Sequence, residues 1–192
     1  MGSGGWMAQV RGLVQTMRED VAAKAHWNYG ACGTRAMLRA FFTDGTAAVI
    51  LYRLMQASRH AGLSKTEMFF NKLNTVFSQC IIGRGAEFGP GLVIIHSQGV
   101  VINGAVTGGR NLRIEHQVTI GAEKGKSPRL GDDIFIGCGA KIVGPVVVGD
   151  GVRVGANAVV VHDVPPQSTV VGIPAKPLAR RQMTSIPTKL PT

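Results

Sequence analysis

Fourteen residues spaced six apart run from Ile82 to Val160, and all but one are apolar: Ile82, Phe88, Ile94, Val100, Val106, Leu112, Val118, Leu130, Ile136, Ile142, Val148, Val154 and Val160, with Lys124 the exception. A period of six is neither the 3.6 of a helix nor the 2 of a flat strand, so the chain must turn a corner at every hexad and wind into a parallel β-helix. A glycine follows many of these positions (Gly83, Gly89, Gly131, Gly137, Gly149, Gly155), where a side chain would crowd the corner. The hexads form two runs, residues 82–122 and 130–164, separated by a loop at 123–129 in which Lys124 takes an aliphatic slot. Val118 and Leu130 are twelve apart, so the phase survives the interruption and the loop is expected to replace one hexad. Loops carry sites while the scaffold supplies rigidity, which makes this excursion a functional candidate.

The rest of the chain supports a cap and a tail. Apolar residues recur at helical spacing over 9–24 and again over 35–60, where Leu38, Phe41 and Phe42 lead to Val49, Tyr52 and Met55. A third apolar segment, Met68, Phe69, Leu73, Val76 and Phe77, leads into the first hexad, and its expected role is to close the open end of the solenoid. The expected organisation is a flexible N-terminus at 1–8 with a start at Met7, a helical domain at 9–78, the β-helix at 79–172 and a tail at 173–192. Three cysteines, Cys32, Cys80 and Cys138, are an odd number without metal-ligand spacing and read as free thiols in a reducing cytoplasm. The apolar stretch near Ala47 to Met55 is interrupted by Arg53 and falls far short of the ~20 residues of a membrane span.

A net charge of +10 invites an anionic partner, but aromatic residues make up only 6% of the chain and no nucleic-acid motif is present. The cations gather in short groups instead: Lys124, Lys126 and Arg129; Lys141 with Arg153; and Lys176, Arg180 and Arg181. A phosphorylated cofactor is sufficient to explain them, and so are solvated coil edges.

The block Val154-Gly155-Ala156-Asn157-Ala158-Val159-Val160, followed by Val164-Pro165-Pro166 and Gly172-Ile173-Pro174-Ala175-Lys176, resembles the C-terminal signature of serine acetyltransferases within the hexapeptide-repeat acyltransferases. Arg18-Glu19-Asp20, Tyr52-Arg53 and Val118-Thr119-Ile120-Gly121 strengthen the resemblance, which spans Thr16 to Ala179. It implies an α+β chain, an N-terminal helical region followed by a left-handed parallel β-helix, and acetyl transfer from acetyl-CoA to a hydroxyl. It also implies a homotrimer or a dimer of trimers. The base would be His96, since Ile94-Ile95-His96-Ser97-Gln98-Gly99 matches the family's catalytic segment. An imidazole with an ordinary pKa of about 6.5 is a neutral base at cellular pH. With three hexads to a coil, His116 would lie one coil on and two positions over, and it is the second catalytic candidate. The family places the pantetheine arm at positions matching Gly121, Ala122, Cys138 and Ala156, and Lys141, Lys176 and Arg180 are candidates for the cofactor's phosphates. No metal is expected.

Three departures bear on the acceptor. The acid that the family places before the histidine is Ile95, the aspartate that orients the imidazole is Ile81, and the Arg-His pair of the central loop is replaced by Lys126-Ser127-Pro128-Arg129. An apolar residue where an ammonium must bind leaves a charge unpaired. The expectation is therefore a saccharide or other non-serine alcohol as acceptor, as in polysaccharide-biosynthesis relatives, with Glu115 or Asp132 orienting His96. The alternatives are a serine O-acetyltransferase, or a non-catalytic β-helix that binds CoA or a protein partner. A zinc-dependent hydratase would need three converging histidines.

Overall fold

The structure, a computed structural model, describes residues 3–178. Four helices, α1 (Ser3–Tyr29), α2 (Thr34–Phe41), α3 (Thr46–His60) and α4 (Ser64–Phe77), precede a solenoid of short parallel strands. Helix α1 starts at Ser3, ahead of the expected boundary at residue 9, and the segment expected as one helix over 35–60 is two, broken at Phe42–Gly45. Among the described residues no helix is long and apolar enough to cross a membrane.

Three parallel walls build the solenoid. On the first, Ile81 stacks on Val101, Val101 on Thr119, Thr119 on Lys141 and Lys141 on Val159, so the coils are of unequal length: the first and third exceed three hexads, and the second and fourth match them. Every residue of the six-residue series except Lys124 is buried. The regular period nevertheless hides two shifts. Each hexad can bury two side chains, two positions apart, such as Val100 with Ile102 and Val118 with Ile120. Between Ile94 and Ile102 the corner is two positions longer than the corner that Ile114 and Ile120 close one coil on. An insertion thus falls at His96, invisible to the phase because Val100 and Ile102 are both core positions. A shift of the same kind falls at the loop. Ile120, not Val118, is the register partner that precedes it, so the 123–129 excursion lengthens its coil and does not replace a hexad. It forms a tight hairpin with Lys124 and Gly125 in the left-handed region and a mutual Glu123–Lys126 bridge.

The cap differs from expectation as well. Ala48, Val49, Tyr52 and Met55 of α3 join the solenoid core, while Met68, Phe69, Val76 and Phe77 of α4 are exposed and Phe70 packs inward. Tyr52 Oη donates to the Ala86 carbonyl and accepts from the Phe88 amide, which pairs an open coil edge with a side chain. Below it lies a buried polar clasp. Arg53 Nε donates to Asp20 at 2.8 Å, and its other nitrogens donate to the Phe88 and Gly89 carbonyls at 2.7 Å. Asp20 accepts in turn from the Gly91 and Leu92 amides. Burial raises the Asp20 carboxyl above its ordinary range, and Arg53 with the two amides offsets only part of that rise. Cys32, Cys80 and Cys138 are free thiols, and burial pushes Cys80 up to about 12.

Asp20→Ala leaves a buried guanidinium unpaired and is expected to destabilise the fold by roughly 3–5 kcal/mol in denaturant titration; a loss under about 1 kcal/mol would show that the clasp does not hold the cap.

Candidate active site

His96 follows the strand Val93–Ile94 at a corner of the solenoid. Ile94 pairs with Ile114, Ile114 with Ile136 and Ile136 with Val154, so His96, His116, Cys138 and Ala156 fall in one column along one edge. The expected two-position offset of His116 is absent because the coil between the histidines is longer than three hexads by that same offset. Their rings meet edge to face, with centroids 5.9 Å apart.

The group that orients His96 comes from outside the solenoid. Asp44 Oδ2 lies 3.0 Å from His96 Nδ1. Burial pushes the Asp44 carboxyl up, but hydrogen bonds from His96 and Gln98, the charge of His96 and the Gly45 amide outweigh it and hold the group below its ordinary range. An ionised carboxylate only accepts, so Nδ1 carries the proton and Nε2 is left with its lone pair directed away from Asp44. Asp44 sits in the turn between α2 and α3, seated against the first coil. Gly45 has φ of 79°, and a Cβ there would lie 2.1 Å from the Ile94 carbonyl oxygen, so only glycine permits this approach. The sequence signal for Asp44 is the Asp44-Gly45 dipeptide itself, a turn marker inside a segment expected as one helix.

Neither expected partner orients His96. Glu115 lies in register beneath Ile95, with Oε2 3.5 Å from the Nδ1 of His116, and that buried nitrogen makes no hydrogen bond. Asp132 sits on a different corner, where it accepts from the Arg110 amide at 2.7 Å. Ile95 is buried at 7% exposure, which removes it from the site surface.

Behind the pair lies Lys24 of α1, only 3% exposed. Its Nζ donates to the carbonyls of Asp44 at 2.8 Å, Ile94 at 2.9 Å and Ile95 at 2.8 Å. Nothing in the sequence marks it, because a lysine on an amphipathic helix ordinarily points to solvent.

The cofactor candidates divide. Cys138 is half-buried and Ala156 exposed, both in the histidine column. Lys141 flanks that column and gives its ammonium to the Gln117 carbonyl at 2.6 Å. Gly121 pairs with Val143 at the other end of the first wall, and Ala122 follows it on the exposed corner, so this chain does not bring them to His96. Lys176 is exposed on an antiparallel end strand, and Arg180 lies outside the described residues.

Comparison with known proteins places the chain among hexapeptide-repeat transferases. The family model for bacterial transferase hexapeptide (six repeats) matches residues 127–162. A serine acetyltransferase of Helicobacter pylori strain J99 is 36% identical over 177 residues, covering 88% of this chain and 95% of that protein. One from Staphylococcus aureus strain MSSA476 is 42% identical over 170 residues, covering 84% and 76%. The crystal structure of Neisseria gonorrhoeae serine acetyltransferase in complex with serine superposes with a TM-score of 0.77 at 31% identity, covering 87% of this chain and 69% of that one.

These relatives overturn the saccharide acceptor and the placement nearer the polysaccharide enzymes. The absent acid at 81 does not amount to an absent function, because a carboxylate reaches His96 from the helical cap. The coiled scaffold, the histidine column and a relative matched over nearly its whole length lead to one conclusion, that the chain belongs to the serine acetyltransferase family of hexapeptide-repeat transferases.

Proposed function

We propose that the protein is a serine O-acetyltransferase that uses acetyl-CoA as acetyl donor and His96 as general base. The observation that carries this reading is the 3.0 Å contact between His96 Nδ1 and Asp44, which holds the imidazole with Nε2 free to take a proton. Asp44 also stabilises the imidazolium formed when the serine hydroxyl gives up its proton, and the oxygen then attacks the thioester carbonyl. On collapse of the tetrahedral adduct the same nitrogen returns the proton to the departing thiolate. His116, its ring against His96, would hold the acceptor or the developing oxyanion. Glu115, one coil below Ile95, is the carboxylate left to receive the substrate ammonium.

The column supports a place for the pantetheine arm. Below His116 it carries Cys138, Ala156 and, by the Val154–Val170 register, Gly172, and small side chains let an extended ligand approach the backbone edge. The arm's contacts at Gly121 and Ala122 would come from a neighbouring subunit of the trimer that the resemblance implies. An opening at Gly121, where a Cβ would meet nothing nearer than 4.0 Å, and the exposed apolar Ile81 and Val101 on the same wall support that reading.

Thiol release from acetyl-CoA, measured over a panel of hydroxyl acceptors, is expected to give L-serine a kcat/KM at least about 100-fold above any neutral sugar alcohol, the ammonium–carboxylate pairing supplying the difference. Turnover of a sugar with none of serine would reverse the assignment. His96→Ala is expected to lower kcat by ~10²-fold or more with CoA affinity unchanged, the range for loss of a positioned base. A variant that keeps most of its rate would remove His96 from the chemistry.

A further inference from the structure

We propose that Lys24 is the positioning residue of the His96–Asp44 pair, its ammonium tying the helical cap to the catalytic corner through three carbonyls. Two of those carbonyls, Ile94 and Ile95, belong to the segment that ends in His96, and the third is the backbone of Asp44 itself. One buried cation therefore fixes the backbone on both sides of the hydrogen bond that sets the imidazole. An ammonium has three N–H donors and no acceptor, so three carbonyls at 2.8–2.9 Å use it completely. None of these bonds lies within helix α1, so that helix gains nothing locally from Lys24. What the side chain joins is three separate segments meeting at the site. The inference rests on His96 as the base of the proposed reaction.

Burial, opposed by the charged groups around it, sets the pH range over which Lys24 keeps its ammonium. Asp44 faces it from the α2–α3 turn and Glu115 from the second coil, and Asp20, paired with Arg53 of α3, lies one turn earlier on α1. His96 is coupled to it through Asp44. Burial lowers the Lys24 pKa to about 8, with Asp44 and Glu115 opposing that shift. A lowered pKa means that the three-donor form prevails below about 8 and is lost as pH rises through that value, well before an ordinary lysine at 10.5. The neutral amine has two N–H groups for three carbonyls and turns its lone pair on the third, which loosens the corner.

The test is a ¹⁵N-histidine NMR titration from about pH 6.5 to 9.5 of the wild type, Lys24→Met and Lys24→Arg, with His96 assigned through His96→Ala. In the wild type the Nδ1–H tautomer of neutral His96 is expected to dominate and to decay with a midpoint near pH 8. Lys24→Arg keeps its charge throughout and is expected to lose that step, while Lys24→Met gives mixed tautomers at every pH. In turnover, Lys24→Met is expected to lower kcat by about 10-fold or more with KM for serine within about twofold, and to add under about threefold in an Asp44→Ala background, since both changes break one unit. A wild-type tautomer in Lys24→Met, losses that multiply, or a pH 8 step surviving in Lys24→Arg would overturn the proposal. The tautomer is read without any acceptor, so absence of serine turnover would count against the proposed function and leave this test standing. If Lys24→Met does not fold, the comparison of wild type with Lys24→Arg decides alone.

Discussion

The open end of the first coil is where the molecule's constraints meet. A solenoid must cover its terminal core and satisfy its terminal strand edges, and here helices do the first with apolar residues of α3 and the second with polar and charged side chains. Arg53 and Asp20 bind the corner from Phe88 to Leu92, and Lys24 binds the corner at Ile94 and Ile95. Charges in such positions are tolerated only when every donor and acceptor is matched, which these are. Because the cap is docked by directional bonds as well as by apolar packing, it has one orientation. That orientation carries Asp44 to His96.

The His96–Asp44 pair is thus a product of the junction. The solenoid supplies a histidine on a lengthened corner, and the cap supplies the carboxylate that orients it. The two are far apart in sequence and meet through a glycine turn that no larger residue could make. Down the same edge the side chains shrink to Cys138 and Ala156, leaving a backbone-lined track beside the two rings. Both imidazoles and the track follow from stacking coils in register, so one periodic element sets most of the geometry.

The scaffold is legible because its periodicity is a direct image of burial: each sixth residue faces the core. The same regularity conceals the insertion at His96, since strands that bury alternate residues allow a slip of two positions to preserve the apolar phase. It also disguises the loop at 123–129 as a substitution for a hexad. His96 and His116 can be named from local segments, but their juxtaposition depends on a coil longer than three hexads. Asp44 escapes notice because the apolar residues on either side of it fit one helical face, which hides the Asp-Gly turn. Lys24 is illegible, since a buried lysine differs from a surface one only in what surrounds it. The saccharide acceptor fails for a related reason: an absent carboxylate at one position says nothing about a carboxylate delivered from another element.

The most direct measurement is the turnover of Asp44→Asn with L-serine and acetyl-CoA, alongside its unfolding midpoint and CoA affinity. The amide keeps the size of the side chain while removing the charge that fixes the Nδ1–H tautomer and stabilises the imidazolium. The expected result is a kcat lowered on the order of 10²-fold or more, with folding and CoA binding preserved. A rate within about threefold of wild type would show that the cap does not orient His96 for proton transfer.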